Sequence, residues 1–207
     1  TYYIVYPAYS VHGVVGMLGK TRDFETYERM DIISLPDNRC PALFPEKING
    51  EYVRLDRPTT IHRTGEIWIS RSPDLIHWGR HRLLLEPGSD PNDWNHIKIG
   101  PCAPPIKTEK GWLMIYHGVH QTMAYSMSCA LLDLEDPSEV IGKLPGYMIT
   151  AEESYEMVGR VPNVVFSTGA ILDEETGELK LYYAGADTCI GLATAPMDEL
   201  VEACLRG

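Results

Sequence analysis

A unit that recurs four times along the chain constrains the fold more than any local propensity. In each copy a small or turn residue leads into an apolar and aromatic strand: Thr1-Tyr2-Tyr3-Ile4-Val5-Tyr6, Gly50-Glu51-Tyr52-Val53-Arg54-Leu55, Gly111-Trp112-Leu113-Met114-Ile115-Tyr116 and Gly177-Glu178-Leu179-Lys180-Leu181-Tyr182. Successive offsets of about 49, 61 and 66 residues fall in or just above the range of propeller blades. A second strand follows, in Gly65-Glu66-Ile67-Trp68-Ile69-Ser70 and Ser126-Met127-Ser128-Cys129-Ala130-Leu131-Leu132. A polar turn containing Asp comes next, in Arg71-Ser72-Pro73-Asp74-Leu75-Ile76-His77-Trp78, and Thr21-Arg22-Asp23-Phe24 and Ala195-Pro196-Met197-Asp198 occupy the same place. Asn49-Gly50 is a favoured two-residue hairpin turn, and Lys110-Gly111 and Thr176-Gly177 are expected to close similar hairpins. The pattern predicts an all-β fold and argues against strand-helix alternation.

The one helix expected is terminal, over about residues 197–205. Residues 133–154 read as a loop, with Pro137, Pro145 and Gly146 inside it. The second, third and fourth units each carry a strand before the hairpin, in Ala42-Leu43-Phe44-Pro45-Glu46-Lys47, Pro105-Ile106-Lys107 and Ala170-Ile171-Leu172. The first unit has none, and an unpaired strand edge is normally covered. The expectation is therefore one partial propeller domain over residues 1–207, with a segment ahead of Thr1.

At 207 residues and 44% hydrophobic content the chain can bury a sizeable core. It has no apolar run of membrane-spanning length and no leader pattern at its start. Lys and Arg number 18 against 29 Asp and Glu, a net charge of −11, which argues against nucleic acid or an anionic membrane as partner. Five widely spaced cysteines without a CxxC pair suggest neither a disulfide framework nor a zinc site, and fit a reducing compartment. His12, His62, His77, His81, His96 and His120 lack ligand spacing, and no metal or other cofactor is expected.

Blades around a central channel bring equivalent positions of successive units to one rim. Asp56-Arg57, His117-Gly118 and Asp187 follow the aligned strands, and Arg39 and Lys98 precede the hairpins. In an acidic protein, bases gathered at one rim suggest an anionic ligand, because the arginine fork suits phosphate or carboxylate. Taken singly, each has a plainer reading. Arg39 and Lys98 could be solvated charges, Asp56 and Arg57 mutual partners, His117 a packed residue and Asp187 an Asx turn. The joint pattern favours a site.

These segments resemble glycoside hydrolase family 130 along essentially the whole chain. The strings that carry the resemblance are Leu43-Phe44-Pro45-Glu46-Lys47-Ile48 leading to Arg57-Pro58, then Lys98-Ile99-Gly100 with Pro104-Pro105-Ile106-Lys107-Thr108, Ile115-Tyr116-His117-Gly118-Val119, Val161-Pro162-Asn163-Val164-Val165-Phe166, and Tyr182-Tyr183-Ala184-Gly185-Ala186-Asp187. The resemblance implies a five-bladed β-propeller, of which this chain supplies the last three to four blades and a short C-terminal helix. It also implies action on β-mannosides, by phosphorolysis in some members and hydrolysis in others. Matching positions assign phosphate binding to Arg39, Arg57, Lys98, His117 and Tyr125, and sugar binding to Asp187, with weaker roles for Glu46, Tyr9 and Ser10. The complete basic set favours phosphorolysis. Inorganic phosphate is then co-substrate, and the products are α-mannose 1-phosphate and a shortened acceptor, from mannosyl-glucose or a manno-oligosaccharide with a β-1,4 or β-1,2 linkage.

Phosphate is already nucleophilic, so one carboxylic acid suffices where a hydrolase needs two carboxyl groups. The implied acid is an Asp that would lie a few residues before Thr1. A hydrolase would need a second carboxylate, for which Asp56 and Glu46 are the candidates. A sugar- or anion-binding propeller fragment without catalysis is the third reading. Pro101-Cys102-Ala103 departs from the glycine-richer turn of the family, and Ser126 stands where Arg is common. A cytoplasmic location is expected, and self-association is left open.

Overall fold

The computed structural model describes residues 1–60, 62 and 64–207. Sixteen strands and two helices occur among them: β1 (Tyr2–Ser10), β2 (Gly13–Thr21), β3 (Glu28–Ile32), β4 (Asn38–Leu43), β5 (Tyr52–Pro58), β6 (Ile67–Ser72), β7 (Gly79–Leu85), β8 (Lys98–Pro101), β9 (Ile106–Lys107), β10 (Trp112–Val119), β11 (Tyr125–Leu132), β12 (Val140–Lys143), β13 (Ile149–Thr150), α1 (Ser154–Met157), β14 (Val165–Asp173), β15 (Glu178–Gly185), β16 (Cys189–Pro196) and α2 (Met197–Arg206). They form four antiparallel sheets in chain order: β1-β2-β3, then β4-β5-β6-β7, then β8-β10-β11-β12 with β9 and β13 alongside, then β14-β15-β16. The all-β expectation and the four repeated units hold, one unit per sheet.

Three apolar layers hold consecutive sheets face to face. Leu18, Ile33 and Leu75 lie between the first and second sheets. Val53, Leu55, Ile67 and Ile69 of the second sheet meet Ile99, Trp112, Met114 and Tyr116 of the third. Leu113, Ile115, Met127 and Cys129 of the third meet Val165, Leu179, Leu181 and Tyr183 of the fourth. Strand β10 is buried at every position because successive side chains point to opposite faces and both faces are covered. Each such large side chain contributes about 1.5–3 kcal/mol. Helix α2 seals the third layer with Met197, Val201 and Cys204, spaced for one helical face. The outward face of the fourth sheet exposes Ile171, Tyr182, Ile190 and Leu192, and β1 exposes Tyr2, Tyr3 and Tyr9.

Turn chemistry accounts for the repeat. Asn49 and Gly50 have φ of 53° and 82°, the paired positive values of a type I′ hairpin. Ser72 Oγ accepts from the Leu75 amide, and Asp74 Oδ1 accepts from the Ile76 and His77 amides. Thr21 and Asp23 repeat this with Phe24, Glu25 and Thr26. Leu75 and Phe24, at matching places, both have positive φ.

Several expectations need correction. The 133–154 segment is not a plain loop: β12 and β13 lie within it and pair with β11, whose exposed edge would otherwise leave backbone groups unpaired. Lys110-Gly111 belongs to a longer turn in which the Thr108 amide donates to the Gly111 carbonyl. The strand expected over 42–47 ends at Leu43 and begins earlier, at Asn38. At Ala195-Pro196-Met197-Asp198 the chain enters α2 instead of an Asp-centred turn.

Candidate functional site

The ends of β4, β5, β8, β10 and β11 converge through strand register. Arg39 pairs with Arg57 across β4 and β5, Gly100 with His117 across β8 and β10, and Val119 of β10 faces both Lys98 and Tyr125. The Ile99 amide donates to the Gly65 carbonyl at 2.9 Å, tying the second and third sheets together at this end. A bulge between Arg39 and Ala42, where Cys40 has φ of 55°, re-aims the start of β4.

A cleft of about 340 Å³ opens here, and every sheet contributes to its wall: Val5 and Tyr9 from the first, Arg39, Cys40 and Arg57 from the second, Pro101 and Cys102 from the third, Phe166 from the fourth. That volume lies at the lower end of the roughly 300–1,000 Å³ usual for ligand sites. Among the described residues no carboxylate lines it.

Arg57 is 6% exposed, and its NH1 donates to His117 Nε2 at 2.8 Å. Two glycines make room for this pair. A Cβ on Gly65 would come within 2.8 Å of the Arg57 side chain, and one on Gly100 within 2.7 Å of His117 Cε1 and 2.9 Å of Arg57 NH1. His117 is fully buried, with Tyr125 stacked at 5.8 Å and Phe166 at 4.7 Å. Burial first, then the charges of Arg57 and Lys98, holds its pKa well below the ordinary 6.5, so the ring is neutral.

Arg39 NH1 donates to the Tyr9 hydroxyl at 2.8 Å, and Asp37 lies 3.5 Å from its Nε. Lys98 Nζ sits 5.8 Å from the Tyr125 ring centroid. Burial pushes the Tyr125 hydroxyl above its ordinary range, Arg57 and Arg39 draw it back, and Cys40 and Asp187 push it up. Asp187 stands on the exposed turn between β15 and β16, is not among the residues that line the cleft, and touches the site only through its charge, which acts on Tyr125.

Two expected residues lie elsewhere. Ser10 Oγ serves the β1–β2 turn, accepting from the His12 amide. Glu46 is exposed and bonds Lys107 at 2.5 Å. Asp56 is not the partner of Arg57, because neighbours on a strand face opposite ways. Its carboxylate takes Arg54 NH2 at 2.8 Å and Asn38 Nδ2 at 3.2 Å, and it is 2% exposed. The residues that sequence reasoning left out are Cys40, Cys102 and Phe166 on the wall, and Gly65 and Gly100 in their supporting roles.

Arg39 and Arg57, in register at the cleft wall, offer guanidinium forks of the kind that hold a small oxyanion by paired charge-assisted bonds, whereas Lys98 and Tyr125 are not among the residues that line the cleft. The sequence profile of the glycoside hydrolase 130 family, described as beta-1,4-mannooligosaccharide phosphorylase, matches residues 1–206. The chain belongs to glycoside hydrolase family 130. Beta-1,4-mannooligosaccharide phosphorylase of Ruminococcus albus is 39% identical over 187 residues, 88% of this chain and 55% of that protein. Beta-1,2-mannobiose phosphorylase of Listeria innocua is 39% identical over 203 residues, 97% of this chain and 56% of that protein. The solved complex of the Listeria innocua beta-1,2-mannobiose phosphorylase with beta-1,2-mannobiose superposes with a TM-score of 0.92 at 37% identity, over 99% of this chain and 57% of that one. This family 130 chain therefore spans little more than half the length of these relatives. Among its described residues no helix is long and apolar enough to cross a membrane.

Proposed function

We infer that this chain forms the phosphate-binding part of an inverting β-mannoside phosphorylase. The observation that carries the reading is the cross-strand pair Arg39 and Arg57 at the cleft wall. Like charges directly opposite each other destabilise a sheet, and a bound dianion would offset that repulsion. Phosphate held by Arg39, Arg57, Lys98 and Tyr125 attacks the anomeric carbon from the face opposite the leaving oxygen. An acid protonates that oxygen, and α-mannose 1-phosphate departs with inversion. Asp187 binds the sugar. The acid that the family resemblance implies is an Asp, and it is not among the described residues lining the cleft.

Hydrolysis is the weaker reading, because both candidate carboxylates are occupied. Asp56 is enclosed by Arg54 and Asn38, and Glu46 bonds Lys107 away from the cleft. The face-to-face stacking of four sheets, and the apolar side chains exposed on the first and last, support a five-bladed propeller with a further blade between them. The substrate class proposed is the β-mannoside, and the reaction is proposed for the cytoplasm, where phosphate is abundant and thiols stay reduced.

The test is product analysis on β-mannosyl disaccharides, with and without inorganic phosphate, using the polypeptide that carries these residues. Phosphate-dependent release of α-mannose 1-phosphate is expected. Free mannose released without phosphate would contradict it.

A further inference from the structure

The bonds around His117 fix where its proton sits. Arginine has donors only, so NH1 of Arg57 at 2.8 Å requires a lone pair on Nε2. A neutral imidazole must then carry its hydrogen on Nδ1. That nitrogen faces Cys102 Sγ at 3.3 Å, and the thiol has the Gly100 carbonyl, 3.9 Å away, for its own proton. The order of donation runs from Arg57 to the ring, from the ring to sulfur, and from sulfur to the backbone. The opposite tautomer would set an N–H against the guanidinium and leave the buried Nδ1 lone pair facing sulfur.

We propose that Cys102 is a positioning residue of the anion site: its sulfur accepts the Nδ1 hydrogen of His117, which keeps Nε2 free to orient Arg57 toward the cleft. Cys102 lines the cleft beside Arg57. Tyr125 and Phe166 both pack against the fully buried ring, so it has little freedom to turn and choose another partner. The effect on anion binding rests on the phosphate reading of the cleft, whereas the tautomer does not.

The experiment uses the 15N-labelled chain, with long-range 1H–15N spectra of the histidine rings. His117 is assigned by the signals lost in His117→Gln, and inorganic phosphate is titrated into each variant. Wild type and Cys102→Ser should show a proton on Nδ1 and a bare Nε2. Cys102→Ala should show a ring exchanging between tautomers and bind inorganic phosphate about fivefold more weakly, the loss of one hydrogen bond, with Cys102→Ser restoring the affinity. A proton on Nε2 in the wild type overturns the proposal, as does an unchanged ring spectrum in Cys102→Ala. A changed spectrum with unchanged affinity overturns the link to Arg57. If wild type binds no phosphate, the phosphate reading fails, and the ring spectrum still decides the role of Cys102.

Discussion

Strand β5 carries two arginines three residues apart, and they live in opposite surroundings. Arg54, 1% exposed, has its counter-charge inside the fold: Asp56 lies at 2.8 Å, the Ile33 carbonyl at 2.8 Å and the face of Trp78 at 4.2 Å. Its charge is used up in joining the second sheet to the segment that follows β3. Arg57 meets a neutral histidine and a second arginine, and among the described residues no carboxylate pairs with it. A buried charge compensated within the fold is architecture, and one left uncompensated at a cleft is a means of binding. Alternation along the strand sends the two to different faces.

The contrast breaks hardest at Asp56. Asp56→Ala should leave Arg54 buried without a counter-charge and cost about 3–5 kcal/mol in urea unfolding, while the folded protein keeps its phosphate affinity. Equal loss of stability and binding would merge the two arginines into one system.

Gly100→Ala probes the other side. With the new Cβ 2.7 Å from His117 and 2.9 Å from Arg57 NH1, overpacking should cost about 1–3 kcal/mol and weaken phosphate binding as well. A variant of wild-type stability and affinity would show that the pair can shift freely.

The smallest effect is a slope with pH. His117 is held below its ordinary 6.5, so the unfolded chain takes up a proton that the folded chain refuses. Its contribution to stability is complete above pH 6.5 and declines as pH falls below that value, by at most ~1.4 kcal/mol per unit for one proton. Removing the imidazole in His117→Gln should flatten that limb of the stability curve, measured by urea melts between neutral and mildly acid pH.

Much of this was legible in the sequence because the signals were local or periodic. Asn49-Gly50 can hardly be anything but a hairpin turn, and the run from Trp112 to Val119 marks a strand covered on both faces. Arg39, Arg57, Lys98 and His117 could be gathered because repeats place equivalent positions together, whereas Tyr125 came only from the family resemblance. Strands β12 and β13 escaped because they are short and owe their existence to the free edge of β11, not to their own propensity. Glu46 and Ser10 sit beside strings that belong to the site, yet sequence proximity does not decide which way a side chain points. The division of labour between Arg54 and Arg57 was available from the period-two rule, which pairs Asp56 with Arg54 across one face. Gly65 and Gly100 were invisible as site residues, since their role is the space they leave, and that depends on a side chain arriving from another strand.

Calorimetric titration of inorganic phosphate into the wild-type chain and Arg57→Ala tests the central claim most directly. Binding by the wild type, weakened about tenfold to a hundredfold in Arg57→Ala as charge-assisted bonds are lost, is the predicted result. Equal binding by both proteins, or none by the wild type, would contradict the assignment of Arg57 as the anion-holding charge.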